Sequence, residues 1–325
     1  MNNVLKFGFV ILIIIGIIFT LFQFAFDKTD DVGFKVKVGW MTTWAEPGFL
    51  AEALKRTSIF SDNNVNGEMV SFLYGPPMVE AAIAGELNSL FVGAVPTINL
   101  MSNSDDWVIV ARLLYFKEGL MAREGSGIKS IEDLKGKKLG VPYGTGLHPP
   151  VIRALKEAGL NPKTDLQLIN LKPSDHATAL QVKDVDAVAW AEPSITLFEM
   201  NQIAYLIKEF EDIGFVSVRK SYAEKYPEEI KRFIKSIKSA NYYVAANKDL
   251  VFKWFSEDSN FDLNLVKNLK IIEPNFDVKR IEEVDLMINP FWVGEVQKKI
   301  DFMFEEGLIS RRFNLTDRID LRYLE

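Results

Sequence analysis

The chain contains no cysteine and only two histidines, His148 and His176. That excludes disulfides, thiolate metal sites and cysteine nucleophiles. A zinc site would have to combine both histidines with carboxylates, and their spacing suggests no such set. Basic blocks are missing too. The formal net charge is −6 over 325 residues, so nucleic acid is not expected as a partner. With no low-complexity stretch and no short-period repeat, a solenoid is excluded. What remains is an ordinary globular composition, 48% hydrophobic and 25% charged, on a chain long enough for two lobes.

One long apolar run stands out, Phe7 to Phe26, interrupted only by small residues, Thr20 and Gln23. At about 20 residues it is long enough to cross the hydrocarbon core as a helix. Leu-Phe-Gln-Phe-Ala-Phe before Asp27 is a poor cleavage site, and a lipoprotein anchor would need a cysteine. Lys6 lies on one side, with Asp27, Asp30 and Asp31 on the other. The positive-inside tendency therefore predicts a short cytoplasmic end and an exported body. A cleaved signal is the alternative, and under either reading the globular part is extracytoplasmic. Residues 1–34 are read as anchor and linker.

Beyond the linker the pattern is α/β. Lys35–Trp40 alternates as a strand, and Pro47 opens an apolar-periodic segment. Val65–Tyr74 reads as a second strand, followed by Gly75-Pro76-Pro77 and a helical run closed by Gly85. Ser89–Val92 is a short buried strand before Pro96. The same grammar returns at Lys138–Val141, Leu166–Asn170 and Val185–Trp190, with helices opened near Pro149, Ser174 and Pro193. Such repetition predicts mostly parallel sheets with helices on their faces. Gly214–Val218 reads as a strand, and the chain is helical from Tyr226-Pro227 onward. There Ile230, Phe233, Ile234, Ile237 and Val244 form a stripe that packs on a lobe.

Helices that follow strands put their N-termini at the carboxyl ends of the sheets, where ligands bind in open α/β folds. Most such turns bind nothing; several together carry more weight. Gly144-Thr145-Gly146-Leu147-His148 is the strongest candidate, because two glycines admit close approach while Thr145 and His148 can hydrogen-bond. No Lys-Ser or Lys-Thr follows, so it is not a phosphate loop. Trp40, Trp44, Tyr74, Tyr143 and Trp190 cluster at these turns, either as core or as a ligand wall with polar tips. Glu46 and Glu192 sit beside them without a nucleophile, metal cluster or triad partner. Glu192 reads as a ligand acceptor or a structural cap.

The chain resembles the nitrate/sulfonate/taurine substrate-binding proteins of ABC importers, the NMT1/THI5-like group that includes thiamine-pyrimidine binders. The resemblance rests on Gly75-Pro-Pro with Ala82-Ile-Ala-Gly-Glu86, on Phe91-Val-Gly-Ala-Val-Pro96, and on Ile131-Glu-Asp-Leu-Lys-Gly-Lys-Lys-Leu-Gly-Val141. Gly144–His148, Val185-Asp-Ala-Val-Ala-Trp-Ala-Glu-Pro193 and Tyr226-Pro-Glu-Glu-Ile230 extend it. It implies a two-lobe type II periplasmic-binding-protein fold, with chain crossings near Phe116–Glu118 and Glu211–Gly214. Lobe 1 would comprise residues 35–117 and 213–325, and lobe 2 residues 118–212.

It also implies a ligand-binding cleft lined by Trp40, Trp44, Glu46, Tyr74, Gly75, Pro76, Ala94 and Val95. The second lobe would add Gly144, Thr145, Gly146, His148, Trp190 and Glu192. The expected partners are a small-molecule ligand, an ABC permease and an ATPase, and the membrane through the N-terminal helix, with no cofactor. Two departures favour an aromatic or zwitterionic ligand over a bare anion: Glu46 in the first turn, and the lack of arginine in any of these turns. A pyrimidine-synthase-like enzyme of the same fold and a ligand-sensing ectodomain are the rival readings.

Overall fold

Three strand-turn-helix units build the first lobe. β1 (Lys35–Met41) leads into α1 (Ala45–Arg56), β2 (Asn66–Phe72) into α2 (Gly75–Ile83), and β3 (Ser89–Gly93) into α3 (Ala94–Asn103). Pro47, Pro76 and Pro96 each fall in the first turn of their helix, where a missing N–H leaves no bond unmade. β3 is buried along its whole length and pairs with β1 in parallel, Val38 opposite Ser89. These features come from a computed structural model, which describes residues 34–324. The expected anchor, Phe7–Phe26, lies outside the described residues. Among the described residues no helix is long and apolar enough to cross a membrane.

β4 (Trp107–Arg123) then runs from the first lobe into the second. There β5 (Lys138–Val141) precedes α4 (His148–Glu157), β6 (Gln167–Asn170) precedes α5 (His176–Gln181), and β7 (Ala187–Ala191) precedes α6 (Ser194–Met200). β5 pairs in parallel with both β6 and β7. β8 (Ala204–Arg219) brings the chain back. All eight strands form one sheet in the order β2-β1-β3-β8-β4-β7-β5-β6.

The expected parallel pairing thus holds inside each lobe, while the two crossover strands add antiparallel neighbours in the middle. β8 meets β3 through Gly214–Val218, and β4 meets β7 through Glu118–Ala122. Between these stretches, Tyr115–Lys117 and Glu211–Ile213 pair only with each other among the described residues. The segment read as a strand at Gly214–Val218 is therefore the end of a sixteen-residue strand. β4 is buried on both faces for most of its length, so no alternation marks it in the sequence.

The C-terminal third covers the first lobe. α7 (Pro227–Ala246) buries Ile230, Phe233, Ile234, Ile237 and Val244, the expected stripe, and α8 (Lys248–Ser259) packs beside it on α1. A buried ion pair ties the following segment to β4, with Arg112 Nη1 2.7 Å from Glu273 Oε2. The same carboxylate accepts from the Tyr115 and Asn275 backbone N–H groups at 2.6 and 2.9 Å. α9 (Pro290–Glu305), capped by the Asn289 side chain, reaches across to α4. There Lys156 pairs with Glu306, and the Arg153 guanidinium lies 4.8 Å from the Phe302 ring centre.

Candidate functional site

The carboxyl ends of β1, β2, β3, β5 and β7 converge on one cavity between the lobes. Met41, Trp44, Gly75, Gly93 and Pro96 line it from the first lobe; Thr145, Gly146, Trp190 and Ala191 line it from the second. Phe116 and Glu118 of β4 complete the lining from the crossover. The volume is about 30 Å³, room for one or two water molecules and not for an organic solute. A wider groove of about 1120 Å³ lies on the outer side of the second lobe, along α4 and β6. The interlobe cavity is the better candidate because buried, unpartnered polar atoms belong to residues that line it.

The lobes touch closely around this cavity. Ala45 N–H donates to the Glu192 carbonyl at 3.4 Å, and Asn99 Nδ2 donates to the Gly144 carbonyl at 3.2 Å. Gly144 has φ +76° and stands against Pro76, so a side chain there would be strained by its backbone conformation. A Cβ at Gly146 would collide with the Glu118 carboxylate. Trp44 meets Phe116 edge to face, with ring centres 4.5 Å apart. Tyr74, the N-cap residue of α2, packs against the buried cluster of the second lobe.

The polar groups here are unusual for a buried site. Glu118 is 5% exposed, and its Oε2 has no hydrogen-bond partner. Burial, with the nearby Asp212 charge, pushes its carboxyl up to about 8. Glu46, in the first turn of α1, is fully buried with neither oxygen hydrogen-bonded, and burial pushes it up to about 8 as well. Its own backbone N–H and the Trp44 indole lie near enough to offset this in part, though neither reaches hydrogen-bond geometry. The indole N–H groups of Trp44 and Trp190 are also buried without acceptors. Among the described residues no lysine or arginine lines the cavity. Lys299, whose charge reaches Glu118, is held by Asp212 at 2.6 Å.

Of the residues expected from sequence, Trp44, Gly75, Thr145, Gly146 and Trp190 meet at this cavity. Pro76 and Gly144 form the contact beside it. Ala94 and Val95 are buried in the first turn of α3, between the lining residues Gly93 and Pro96. Thr145 spends its hydroxyl on the Pro142 carbonyl at 2.6 Å. Glu192 acts as a cap, accepting from Thr196 N–H at 3.0 Å and Thr196 Oγ1 at 2.8 Å.

Trp40 and His148 are among the nine expected residues that do not line the cavity, and both lie elsewhere. Trp40 is a core residue of the first lobe, with the Lys55 ammonium 5.2 Å from its ring centre. His148 opens α4 facing the outer groove, stacked on Tyr143 with ring centres 4.3 Å apart, and burial pushes it down to about 4. His176 is a buried structural residue, Nε2 3.2 Å from the Leu171 carbonyl, edge-on to Trp190. Sequence reasoning put a crossing at Phe116–Glu118 but gave those side chains no place in the site. Glu118 is the single acidic residue of β4, and that is the available signal.

With this geometry in hand, three comparisons agree. The family model described as NMT1/THI5 like matches residues 108–249. A putative aliphatic sulfonates-binding protein of Bacillus subtilis is 26% identical over 305 residues, covering 92% of this chain and 87% of its own length. The taurine-binding periplasmic protein of Escherichia coli is 28% identical over 247 residues, 73% of each chain. Among solved structures, the alkanesulfonate-binding protein SsuA from Xanthomonas axonopodis pv. citri, bound to MOPS, superposes with a TM-score of 0.72 at 16% identity. It covers 88% of this chain and 98% of its own. The desulfurization enzyme DSZB shares the fold at a TM-score of 0.64 and 12% identity, over 90% of this chain and 97% of its own. The chain is similar in sequence to these binding proteins, and its fold is the two-lobe periplasmic-binding-protein fold.

Proposed function

We propose that this chain is the extracytoplasmic solute-capturing subunit of an ABC importer, closing two lobes around a small sulfonate-, taurine-, nitrate- or thiamine-pyrimidine-like solute. The observation that carries this reading is the interlobe cavity, lined by strand ends of both lobes and holding unpartnered indole and carboxyl groups. Lobe 1 comprises residues 35–117 and 213–325, and lobe 2 residues 118–212. Support for these boundaries comes from the register, in which Tyr115–Lys117 and Glu211–Ile213 pair only with one another among the described residues. Strands with one neighbour each are the natural place for a hinge. At about 30 Å³ the cavity is too small for an organic solute, so the lobes part to admit one and re-close upon it.

Binding rather than catalysis fits the groups present. The Thr145 hydroxyl is committed to a backbone carbonyl, and both histidines lie away from the lining. Partner permease and ATPase subunits follow from the importer reading. Attachment to the outer face of the membrane through Phe7–Phe26 follows from the apolar length of that run alone. Mass spectrometry of solutes carried through native purification, followed by a thermal-shift screen of those recovered, tests the reading. A solute that stabilises the protein in proportion to its concentration is the expected result. Conversion of that solute to a product on prolonged incubation would favour the enzyme reading instead.

A further inference from the structure

α9 spans the seam between the lobes, and the first lobe holds the chain on both sides of it. Ahead of the helix, the Leu286 carbonyl accepts from Arg112 N–H of β4 at 2.8 Å. After it, Arg311 bonds Asp105 at 2.8 Å and the Met101 carbonyl of α3 at 2.9 Å, and Ile319 bridges to Ile109 of β4. The first turn of the helix lays Trp292 on Tyr115 of β4, with ring centres 5.7 Å apart. Lys299 then holds Asp212 of β8 at 2.6 Å, so α9 lies along the crossover strands. Its second half meets α4 of the second lobe. Phe302 faces the Arg153 guanidinium, Arg153 Nη2 donates to the Lys298 carbonyl at 3.4 Å, and Lys156 pairs with Glu306. This grip is made of charge at the surface, the Lys156 and Glu306 side chains being 44% and 24% exposed. A groove of about 340 Å³ remains between α9, α4 and β8, so the seam is not close-packed.

Rotation of the second lobe about the crossover leaves the anchors of α9 on the first lobe in place and changes its contacts with α4. We propose that α9 is an electrostatic clasp on the closed arrangement: the first lobe carries it, and Arg153, Lys156 and Glu306 hold the second lobe against it. The inference rests on the capture reading, for which it sets how readily the lobes part. A contact made in the closed arrangement and lost in the open one shifts the balance between them by its own strength. One exposed ion pair shifts that balance by about two- to fivefold, and the shift fades as salt screens the charges. Such a clasp biases the solute-free protein toward closure without locking it.

The test places one spin label on each lobe, through Ile83→Cys and Val182→Cys, in a chain without native cysteine. Pulsed electron–electron double resonance on the solute-free full chain in detergent, at about 50 and about 500 mM salt, reads the ratio of closed to open distances. The wild-type ratio should fall as salt rises. Lys156→Glu sets two carboxylates against each other and should lower the ratio about fivefold at the lower salt. Lys156→Glu combined with Glu306→Lys should restore it to within about twofold, a rescue that a merely structural effect of the substitution would not give. Glu306→Gln is the milder variant, expected to lower the ratio about twofold, and it keeps the test open if Lys156→Glu fails to fold. A broad distribution that ignores both salt and these substitutions would overturn the inference and leave the capture reading standing, with α9 moving as part of the second lobe. A ratio that the exchanged pair does not restore would overturn it too. A single narrow distance in every protein at both salts would overturn the inference and the hinge of the capture reading together.

Discussion

Glu46 makes the energetics of this site measurable without knowing the solute. The side chain is fully buried, neither oxygen is hydrogen-bonded, and burial pushes the carboxyl from 4.5 up to about 8. Between those values the unfolded chain has given up its proton while the folded chain keeps it. The folded state then binds more protons, so stability falls as pH rises. The contribution is complete below pH 4.5 and is lost progressively up to pH 8. The slope is about 1.4 kcal/mol per pH unit, which amounts to about 3 kcal/mol at pH 7.

Glu46→Gln keeps the shape and removes the titration. A buried amide without partners carries its own cost of about 1–3 kcal/mol, but that cost does not vary with pH. The slope and not the offset is therefore the observable. Urea unfolding of both proteins at pH 5, 6, 7 and 8, at constant ionic strength, reads it directly. His148 and His176 titrate alike in the two proteins and cancel in the difference. The difference should move in favour of the variant by about 3–5 kcal/mol between pH 5 and pH 8. Parallel stability profiles would refute the reasoning, because they would mean that Glu46 reaches water or a partner in the folded state.

Other outcomes follow from the same geometry. Trp190 both lines the cavity and belongs to the second lobe's buried cluster. Trp190→Ala should thus lose affinity and also destabilise the ligand-free protein by about 3–5 kcal/mol, read by calorimetry and denaturant unfolding. An unchanged unfolding midpoint would detach it from the core. His148→Ala should leave solute affinity within about twofold, because the ring faces the outer groove; a large loss in titration calorimetry would bring that groove into the site. Glu273→Ala strands the Arg112 guanidinium in the interior and should cost about 3–5 kcal/mol in unfolding free energy, far more than removing an exposed pair.

Much of this architecture can be read from the chain because its units are local. Proline in or just ahead of the first helical turn marks each strand-turn-helix unit, and the Ile230–Val244 stripe has the period of its helix. The crossover strands are less legible. β4 is buried on both faces, so it shows neither alternation nor a helical period, and only Gly214–Val218 of β8 reads as a strand.

The cavity is hardest of all, since it draws on residues from Met41 to Ala191 that no local pattern relates. Trp40 and Trp44 flank the same turn, yet one packs inside the first lobe and the other faces the second. Thr145 and His148 differ in the same way across the start of α4. Neighbours in sequence part company there because the turn redirects the chain, and only the assembled lobes decide which side chain meets the cavity.

The central claim is that the lobes open and close around a solute, and the absence of native cysteine makes it directly measurable. Ile83 on the first lobe and Val182 on the second are 50% and 60% exposed, so Ile83→Cys with Val182→Cys puts one spin label on each lobe. Pulsed electron–electron double resonance on this pair should give a broad distance distribution without solute. Saturation with the solute recovered from the protein should collapse it to a single narrow one, as selection of the closed state requires. A solute that binds in calorimetry and leaves the distribution unchanged would contradict the account.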